Sequence, residues 1–176
     1  MDLNIHPLKE LIILLFGPLF QNIAYLLLII FFNEEIVLKY HIGILLFNLL
    51  PIYPLDGGKI LDLFFELFIP YKKALQLSIY LSYILVVIIY IKNISLKIDV
   101  LITIVVLFLL ILKEHKKIKY KYHKFKLERY LNNYRFKQSR IITNENNLYR
   151  NKRHLIRNNG KYYLEKEYFD KKIKKN

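Results

Sequence analysis

The sequence predicts an all-α membrane protein with about four transmembrane helices, and three observations support this. First, 55% of the 176 residues are hydrophobic although the chain carries 28 Lys and Arg residues. Second, long uncharged runs alternate with short polar segments, as expected of helices that cross a hydrocarbon core about 30 Å thick. Third, the positive charge is concentrated at one end. Residues 1–112 carry 7 basic and 8 acidic residues, whereas residues 113–176 carry 21 basic and 6 acidic ones.

The charge distribution divides the chain into a membrane-embedded core, residues 1–112, and a basic tail, residues 113–176. Four hydrophobic elements are predicted in the core, at residues 11–32, 42–69, 74–91 and 98–112. The second is expected to be broken between Pro51 and Gly58, because two prolines and two glycines interrupt any helix there.

The tail is predicted to fold, because it holds eleven Tyr and Phe residues. Five side chains at roughly helical spacing predict an amphipathic helix; they are Ile118, Tyr122, Phe125, Tyr130 and Tyr134. Further on, Asn159-Gly160 separates two apolar runs at residues 154–156 and 162–164. This arrangement is typical of a β-hairpin.

The charge bias also predicts orientation and partners. Cytoplasmic segments carry the excess of Lys and Arg, so the tail, the N-terminus and the Lys72-Lys73 turn are expected in the cytoplasm. Beside a membrane, a basic tail favours contact with anionic lipid, worth about 1 kcal/mol per residue near the surface. A protein partner stays open, and nucleic acid is the least favoured partner although Lys and Tyr alternate. Cysteine is absent, which excludes disulfides and thiolate metal sites.

One carboxylate lies inside the broken second element. Residues 48–58 read NLLPIYPLDGG, and the acid is Asp56. A charge at the bilayer centre costs about 2.5–3.5 kcal/mol on insertion scales, so Asp56 is a candidate functional residue. The interruption also frees backbone groups, which is tolerated at membrane depth where protein or a water-filled cavity receives them.

This segment resembles the third-ligand motif of site-2-type intramembrane zinc metalloproteases, close to the sporulation-protease branch. The matching residues are Asn48, Pro51, Pro54, Asp56, Gly57 and Gly58. Upstream, Glu10 and residues 16–21, which contain Gly17-Pro18, resemble the Gly-Pro helix of that family. The resemblance covers roughly residues 8–112.

The resemblance implies a bacterial plasma-membrane enzyme that hydrolyses peptide bonds of membrane-bound substrates with a zinc-activated water. Asp56 would be a zinc ligand. The other five matching residues would bind substrate; they are Asn48, Pro51, Pro54, Gly57 and Gly58. Zinc would be the cofactor, and a membrane protein would be the substrate.

The sequence departs from the family at the catalytic helix. The family takes its other two zinc ligands and its general base from a His-Glu-x-x-His helix, whose spacing puts both imidazoles on one face. Here the histidines are at positions 6, 41, 115, 123 and 154, and no two are four apart. We therefore expect a chain that begins after the catalytic helix and lacks the general base, so that no catalytic set is complete. The alternative is a non-catalytic membrane protein that binds or retains membrane partners.

Simpler interpretations of the same residues stay open. Asp56 fits the start of a helix, where acidic side chains are common. Asp62 and Glu66 are four residues apart, and Lys59 could pair with Asp62 on the same helix face. His6 fits a helix start near the membrane surface better than a metal site with Glu10.

Overall fold

Six α-helices and a three-stranded sheet make up the described parts of the chain. The computed structural model describes residues 6–31, 34–92, 98–132, 136, 138–158 and 160–173. The helices are α1 (Pro7–Leu28), α2 (Glu34–Asn48), α3 (Asp56–Phe68), α4 (Tyr71–Lys92), α5 (Ile98–Leu131) and α6 (Glu165–Ile173). The strands are β1 (Ser139–Ile142), β2 (Arg153–Asn158) and β3 (Lys161–Leu164), with a 3-10 turn at Glu145–Asn147. The chain is mostly helical, as the hydrophobic pattern predicted.

Two of the described helices, α1 and α4, are long and apolar enough to cross a membrane. Each has 22 residues, which exceeds the roughly 20 residues that a hydrocarbon core requires. The prediction of four spans is not supported. The break leaves α2 and α3 with 15 and 13 residues, and the uncharged part of α5 is confined to the segment between Asp99 and Lys113. Phe32, with which the first predicted span ends, lies outside the described residues.

The predicted break in the second hydrophobic element is confirmed. α2 ends at Asn48 and α3 begins at Asp56, so residues 49–55 form a non-helical connection. Pro51 and Pro54 lie within it, and proline has no backbone N–H with which to continue a helix. The break is shorter than predicted, because the acid and the two glycines that follow it form the first turn of α3.

Two groups of buried apolar side chains hold these elements together. The first packs the α2–α3 connection against α4 and α5; its members are Ile52, Tyr53, Ile79, Val86, Ile104, Leu107, Ile111 and Ile118. The second joins α4 to the end of α5, the sheet and α6; its members are Tyr71, Leu75, Tyr122, Phe125, Ile142, Leu148, Ile156 and Phe169. The predicted division after residue 112 stays a prediction, but α5 is continuous across it. The tail therefore packs directly against the helical part.

The tail contains the predicted hairpin and the predicted helix. β2 pairs antiparallel with β3, with Asn158 opposite Lys161, and β1 adds to β2 in parallel. Gly160 has a φ of 77°, a left-handed conformation that glycine adopts without a steric penalty. Asn159 lies outside the described residues, as does Tyr134 of the predicted stripe. Three other members of that stripe, at positions 118, 122 and 125, are buried on α5.

The N-terminal end of α1, the α3–α4 turn and the tail lie on the same side of the molecule, since Arg150 of the tail pairs with Glu10 in the first turn of α1. The backbone N–H of Tyr71 donates to the carbonyl of Leu148 across 3.0 Å. Nearby, Lys72 Nζ donates to Asn146 Oδ1 across 3.1 Å. Both contacts join the start of α4 to the loop between β1 and β2. This grouping agrees with the relative placement that the charge bias predicted.

Candidate functional site at the helix break

Two glycines allow the first turn of α3 to pack directly on the broken connection. An added Cβ at Gly57 would lie 2.1 Å from the carbonyl oxygen of Leu49. At Gly58 it would lie 2.5 Å from the carbonyl carbon of Ile52. Atoms that close to backbone have nowhere to move, so any side chain at either position would displace the connection. Both glycines are buried, and the neighbour that each approaches closely is this chain's own backbone.

The connection is also fastened to α4 by a hydrogen bond. The backbone N–H of Tyr53 donates to Ser82 Oγ across 2.8 Å, in a buried position. Ser82 Oγ donates in turn to the carbonyl of Ser78 across 2.8 Å. A buried backbone N–H without a partner would cost free energy comparable to a lost hydrogen bond. Ser82 therefore holds the non-helical backbone in place.

Asp56 lies next to the other segment that carried the family resemblance. Its Oδ2 is 3.6 Å from the position that a Cβ on Gly17 would occupy, so the Gly17-Pro18 segment of α1 packs beside it. Its Oδ1 accepts a hydrogen bond from Lys59 Nζ at 3.0 Å, and its side chain is 33% exposed. As the first residue of α3, the carboxylate also lies favourably at the positive end of the helix dipole. We call the group of Gly17, Asp56 and Lys59 the motif end of the site.

A cleft of about 640 Å³ opens from the motif end and runs between α1, α3, α4 and α5. Its carboxyl groups are Glu10, Asp56, Asp62 and Glu66, and its basic side chains are Lys59, Lys121, Lys124 and Arg150. Of the six predicted site residues, Asp56 lines the cleft, whereas Asn48, Pro51, Pro54, Gly57 and Gly58 are not part of its lining. Asn48 is the half-buried last residue of α2, and both prolines are half-buried in the connection.

The far end of the cleft is closed by an arginine from the tail. Arg150 Nη1 donates to Glu66 Oε2 across 2.6 Å, and Arg150 Nη2 donates to Glu10. Arg150 and Glu66 are each 2% exposed at the side chain. One turn earlier on α3, Asp62 accepts a hydrogen bond from Ser78 Oγ at 3.0 Å. We call the group of Glu10, Asp62, Glu66 and Arg150 the tail end of the site.

A third polar contact lies where α5 passes the cleft. Lys121 Nζ donates to Tyr53 Oη across 3.0 Å and to Glu114 Oε2 across 2.9 Å. Burial of Glu114 favours its neutral form, but hydrogen bonds from Lys117 and Lys121 outweigh burial and lower the pKa of its carboxyl group. Lys121 is thus paired with Glu114 and Tyr53.

The described residues do not fit a zinc site at Asp56. A catalytic zinc needs three protein ligands and one open position. Among residues 6–31, 34–92, 98–132, 136, 138–158 and 160–173, no three His, Asp or Glu side chains come together in a way that could hold a metal ion. The partner of Asp56 is the ammonium group of Lys59, and a metal would have to displace that cation. Asp56 as a zinc ligand therefore stays a prediction.

The histidines near the helical part have other contacts. His6 precedes α1, and its Nδ1 accepts a hydrogen bond from the backbone N–H of Leu8 at 3.3 Å, so it caps that helix as the simpler interpretation predicted. The ring of His41 stacks on Tyr25 at 4.4 Å, and its Nε2 lies 3.2 Å from Asn22 Oδ1.

Sequence reasoning missed the tail end. It gave Asp62 and Glu66 no catalytic role and suggested that Lys59 could pair with Asp62, whereas Lys59 pairs with Asp56. Asp62 and Lys59 are three residues apart, and so are Asp56 and Lys59, so spacing gives no preference. A usable signal was present in two acids four residues apart within an apolar element, where buried acids require a partner. Their cation, Arg150, is 84 residues from Glu66 in the sequence.

No protein-family model matches the chain. A stretch of 45 residues is 49% identical to "Stage IV sporulation protein FB" of Bacillus subtilis (strain 168). This stretch is 26% of the chain and 16% of the sporulation protein, so the chain matches a small part of that relative. The match supports, over a quarter of the chain, the likeness to sporulation proteins that the motif indicated.

Proposed function

We propose that this chain is a membrane protein of the site-2-protease type whose cleft receives a segment of a membrane-bound polypeptide. The observation that carries the proposal is the convergence of both resembling segments at one cleft. The Gly17-Pro18 segment of α1 and Asp56 of α3 are distant in sequence, yet they meet at the motif end. The two segments would form a joint surface on which a bound polypeptide could be held.

The shape and chemistry of the cleft suit a polypeptide. Its volume, about 640 Å³, is within the range of pockets that bury much of a small ligand or a few side chains. Apolar side chains from α1, α3 and α4 line it together with carboxyl groups; they include Ile13, Leu14, Leu63 and Leu75. A membrane-embedded segment is apolar, and its exposed backbone would find polar partners at Asp56 and Lys59.

Zinc-dependent peptide hydrolysis is the activity that the resemblance implies. We propose docking as the role of the described residues, and hydrolysis as the activity of a site completed from outside them. Two further metal ligands and a general base would have to be supplied there. The second candidate is a protein that retains membrane partners without cleaving them. It uses the same cleft and differs only in that no further metal ligands or general base are supplied.

The proposed location is a bacterial plasma membrane, with the tail in the cytoplasm. Two candidate spans and the partial match to the sporulation protein support a membrane protein. The tail's excess of Lys and Arg supports the cytoplasmic side and a contact with anionic lipid. Vesicles with and without phosphatidylserine test the lipid contact, and equal binding of the chain to both would contradict it.

Photo-crosslinking in nanodiscs tests the docking proposal. A photoreactive amino acid replaces Leu14, which lines the cleft, or Leu15, which is 41% exposed and does not line it. The probe is a labelled peptide with about 20 Leu and Ala residues, long enough to span the bilayer, and a central Gly-Pro break. We expect peptide adducts from position 14 and lipid adducts from position 15. Equal peptide adducts at both positions, or none at position 14, would overturn the proposal.

Zinc analysis tests whether this chain forms a metal site without ligands from outside. We expect the purified native chain, Asp56→Ala and the matched surface change Asp99→Ala to hold equally little zinc, because the described residues do not complete a ligand set. About one zinc per native chain, lost in Asp56→Ala and kept in Asp99→Ala, would show that the chain alone forms the metal site.

A further inference from the structure

The side chain of Arg150 extends from a loop of the tail into the cleft, where it lies between carboxyl groups. It reaches Glu66 on α3 and Glu10 on α1, and these partners lie 84 and 140 residues away in the sequence. The contact therefore closes the cleft between two helices with a side chain that belongs to neither. A guanidinium group with two carboxylates is a strong, charge-assisted arrangement.

The loop that carries Arg150 is anchored through its backbone, since Arg129 donates to the carbonyls of Tyr149, Arg150 and Lys152. The carbonyl of Leu148 accepts from Tyr71 N–H at 3.0 Å, and Asn151 Nδ2 lies 3.5 Å from the carbonyl of Leu67. Leu148 is also fully buried in the second apolar group. Arg150 thus extends from an anchored point in the tail, and withdrawing its side chain does not require the tail to unfold.

The pairing of Arg150 is incomplete. Its Nε is buried and has no hydrogen-bond partner among the described residues, and a buried donor without a partner costs free energy. The tail end also offers three carboxyl groups, Glu10, Asp62 and Glu66, to this single guanidinium. A competing cation that used more of these oxygens would gain hydrogen bonds that Arg150 does not make.

The tail end lies where a membrane-spanning partner carries positive charge. Glu10 is in the first turn of α1, and Glu66 is near the end of α3, on the side that also holds the tail. Membrane-spanning segments are flanked on their cytoplasmic side by Lys and Arg. A segment lying in the cleft would place such a residue beside these acids.

We propose that the tail end of the cleft is a subsite for the juxtamembrane Arg or Lys of a docked membrane polypeptide, and that Arg150 occupies this subsite until the partner displaces it. The inference rests on the proposed docking function and deepens it. The observation that carries it is a tail guanidinium held between carboxylates of two different helices at the end of the cleft. Arg150 then closes the tail end of the cleft in the absence of a partner.

The first experiment measures displacement of the Arg150 side chain in variants that retain this residue. The chain has no cysteine, so Asn151→Cys introduces a single thiol beside Arg150, and Asn158→Cys introduces one at an exposed position at the end of β2. Each variant in nanodiscs receives one of two peptides, which carry either Arg or Gln next to the same apolar segment. We expect the Arg peptide to speed alkylation of the thiol at position 151 by a water-soluble maleimide about tenfold, as for a site nine-tenths occupied by its own loop. The Gln peptide, and the thiol at position 158, should show no change.

A second variant measures the competition itself. With the photoreactive residue at position 14, Arg150→Gln should raise the yield with the Arg peptide and leave that with the Gln peptide unchanged. Arg157→Gln, which removes the same charge from an exposed site on β2, should change neither. Thermal unfolding of each variant in detergent shows whether the tail is still folded. If Arg150→Gln fails to fold, the alkylation experiment alone decides.

The outcomes distinguish this inference from the docking proposal. If both peptides give adducts at position 14 equally and neither changes alkylation at position 151, docking stands and the cation subsite is wrong. If neither peptide gives adducts at position 14, docking is wrong and the subsite that rests on it falls with it. Faster alkylation by both peptides alike would also overturn the subsite, because it would show loop opening without charge recognition.

Discussion

The two ends of the cleft are built in different ways. At the motif end, Asp56 and its partner Lys59 are three residues apart, and the two glycines that shape this turn are adjacent. At the tail end, Arg150 meets Glu66 and Glu10 across 84 and 140 residues. The motif end is thus a local structure that a short segment nearly specifies alone, whereas the tail end forms when the whole chain has folded.

The two ends also differ in their contact with solvent. The carboxylate of Asp56 is 33% exposed and its lysine is 44% exposed, so water screens their attraction. Glu66 and Arg150 are each 2% exposed, so water screens their attraction far less. We therefore expect the tail end, which carries no recognisable motif, to contribute most to the stability of the cleft. The motif end determines mainly the shape of the cleft.

The largest expected effect is at the tail end. Arg150→Gln leaves the buried Glu66 and the half-buried Glu10 without their cation, and removing one partner of a buried ion pair destabilises proteins by about 3–5 kcal/mol. The measurement is the free energy of unfolding in detergent micelles, followed by denaturant titration. Arg157→Gln is the matched control and should change it by less than about 0.5 kcal/mol, because that side chain is exposed.

A double change sharpens this result. Glu66→Gln added to Arg150→Gln removes both charges of the more deeply buried pair, so the double change should cost less than the sum of the two single changes. Additive losses would mean that Arg150 contributes through packing of its aliphatic stem, and the difference between the two ends would then not be electrostatic.

A somewhat smaller effect is expected from the shape of the motif end. Gly57→Ala places a methyl group 2.1 Å from the carbonyl oxygen of Leu49; overpacking of this kind costs about 3 kcal/mol. Gly43→Ala is the control, since an added Cβ there meets nothing within 4 Å. In the middle of α2 it should stabilise by about 0.5–1 kcal/mol. Equal effects of the two changes on thermal unfolding would show that the first turn of α3 does not pack on the connection as described.

These differences explain what the sequence could and could not predict. The helix break and the hairpin follow from local signals, Pro51 and Pro54 in one case and Gly160 in the other, and both are present. The predicted number of spans is not supported, because the same break divides one hydrophobic element into two helices that are each shorter than a span requires. A composition window counts apolar residues and does not register where a helix stops.

The site shows the same limit. Asp56 could be singled out because its neighbours form a contiguous pattern, whereas its approach to Gly17 was not predicted. The partner of Lys59 could not be chosen from spacing because two acids stand at equal spacing on either side of it. Arg150 is one of 21 basic residues in the tail, and no local feature marks it. Only tertiary packing selects it.

Low pH should destabilise the folded tail through the buried side chain of His154. His154 is fully buried, and its Nε2 accepts from the backbone N–H of Tyr149 at 3.0 Å. Its proton therefore lies on Nδ1, which donates to Glu165 Oε1 across 2.6 Å. Burial above all, and then the charge of Arg129, lowers the pKa of His154 below its ordinary 6.5.

The pKa of Glu165 is lowered too. Burial acts to raise it, but the hydrogen bond from His154 and the charge of Arg129 outweigh burial. Both groups bind protons at a higher pH in the unfolded chain than in the folded one. The free energy of unfolding therefore decreases as the pH is lowered. We expect a first loss as pH drops below about 6.5 and a second below about 4.5, seen as faster hydrogen exchange in β2. Glu165→Gln should remove the second loss, whereas Glu167→Gln, at an exposed position, should keep it.

The smallest expected effect is at the carboxylate that first identified the site. Asp56→Asn breaks an ion pair with Lys59 that is partly exposed on both sides, and such pairs contribute about 0–1 kcal/mol. The free energy of unfolding should therefore change by less than about 1 kcal/mol. Peptide adducts at position 14 should nevertheless fall, because a docked backbone N–H loses its charged acceptor at the motif end and keeps only the weaker amide oxygen. A loss of several kcal/mol would show instead that Asp56 serves mainly to hold α3 in place, which would remove the contrast between the two ends of the cleft.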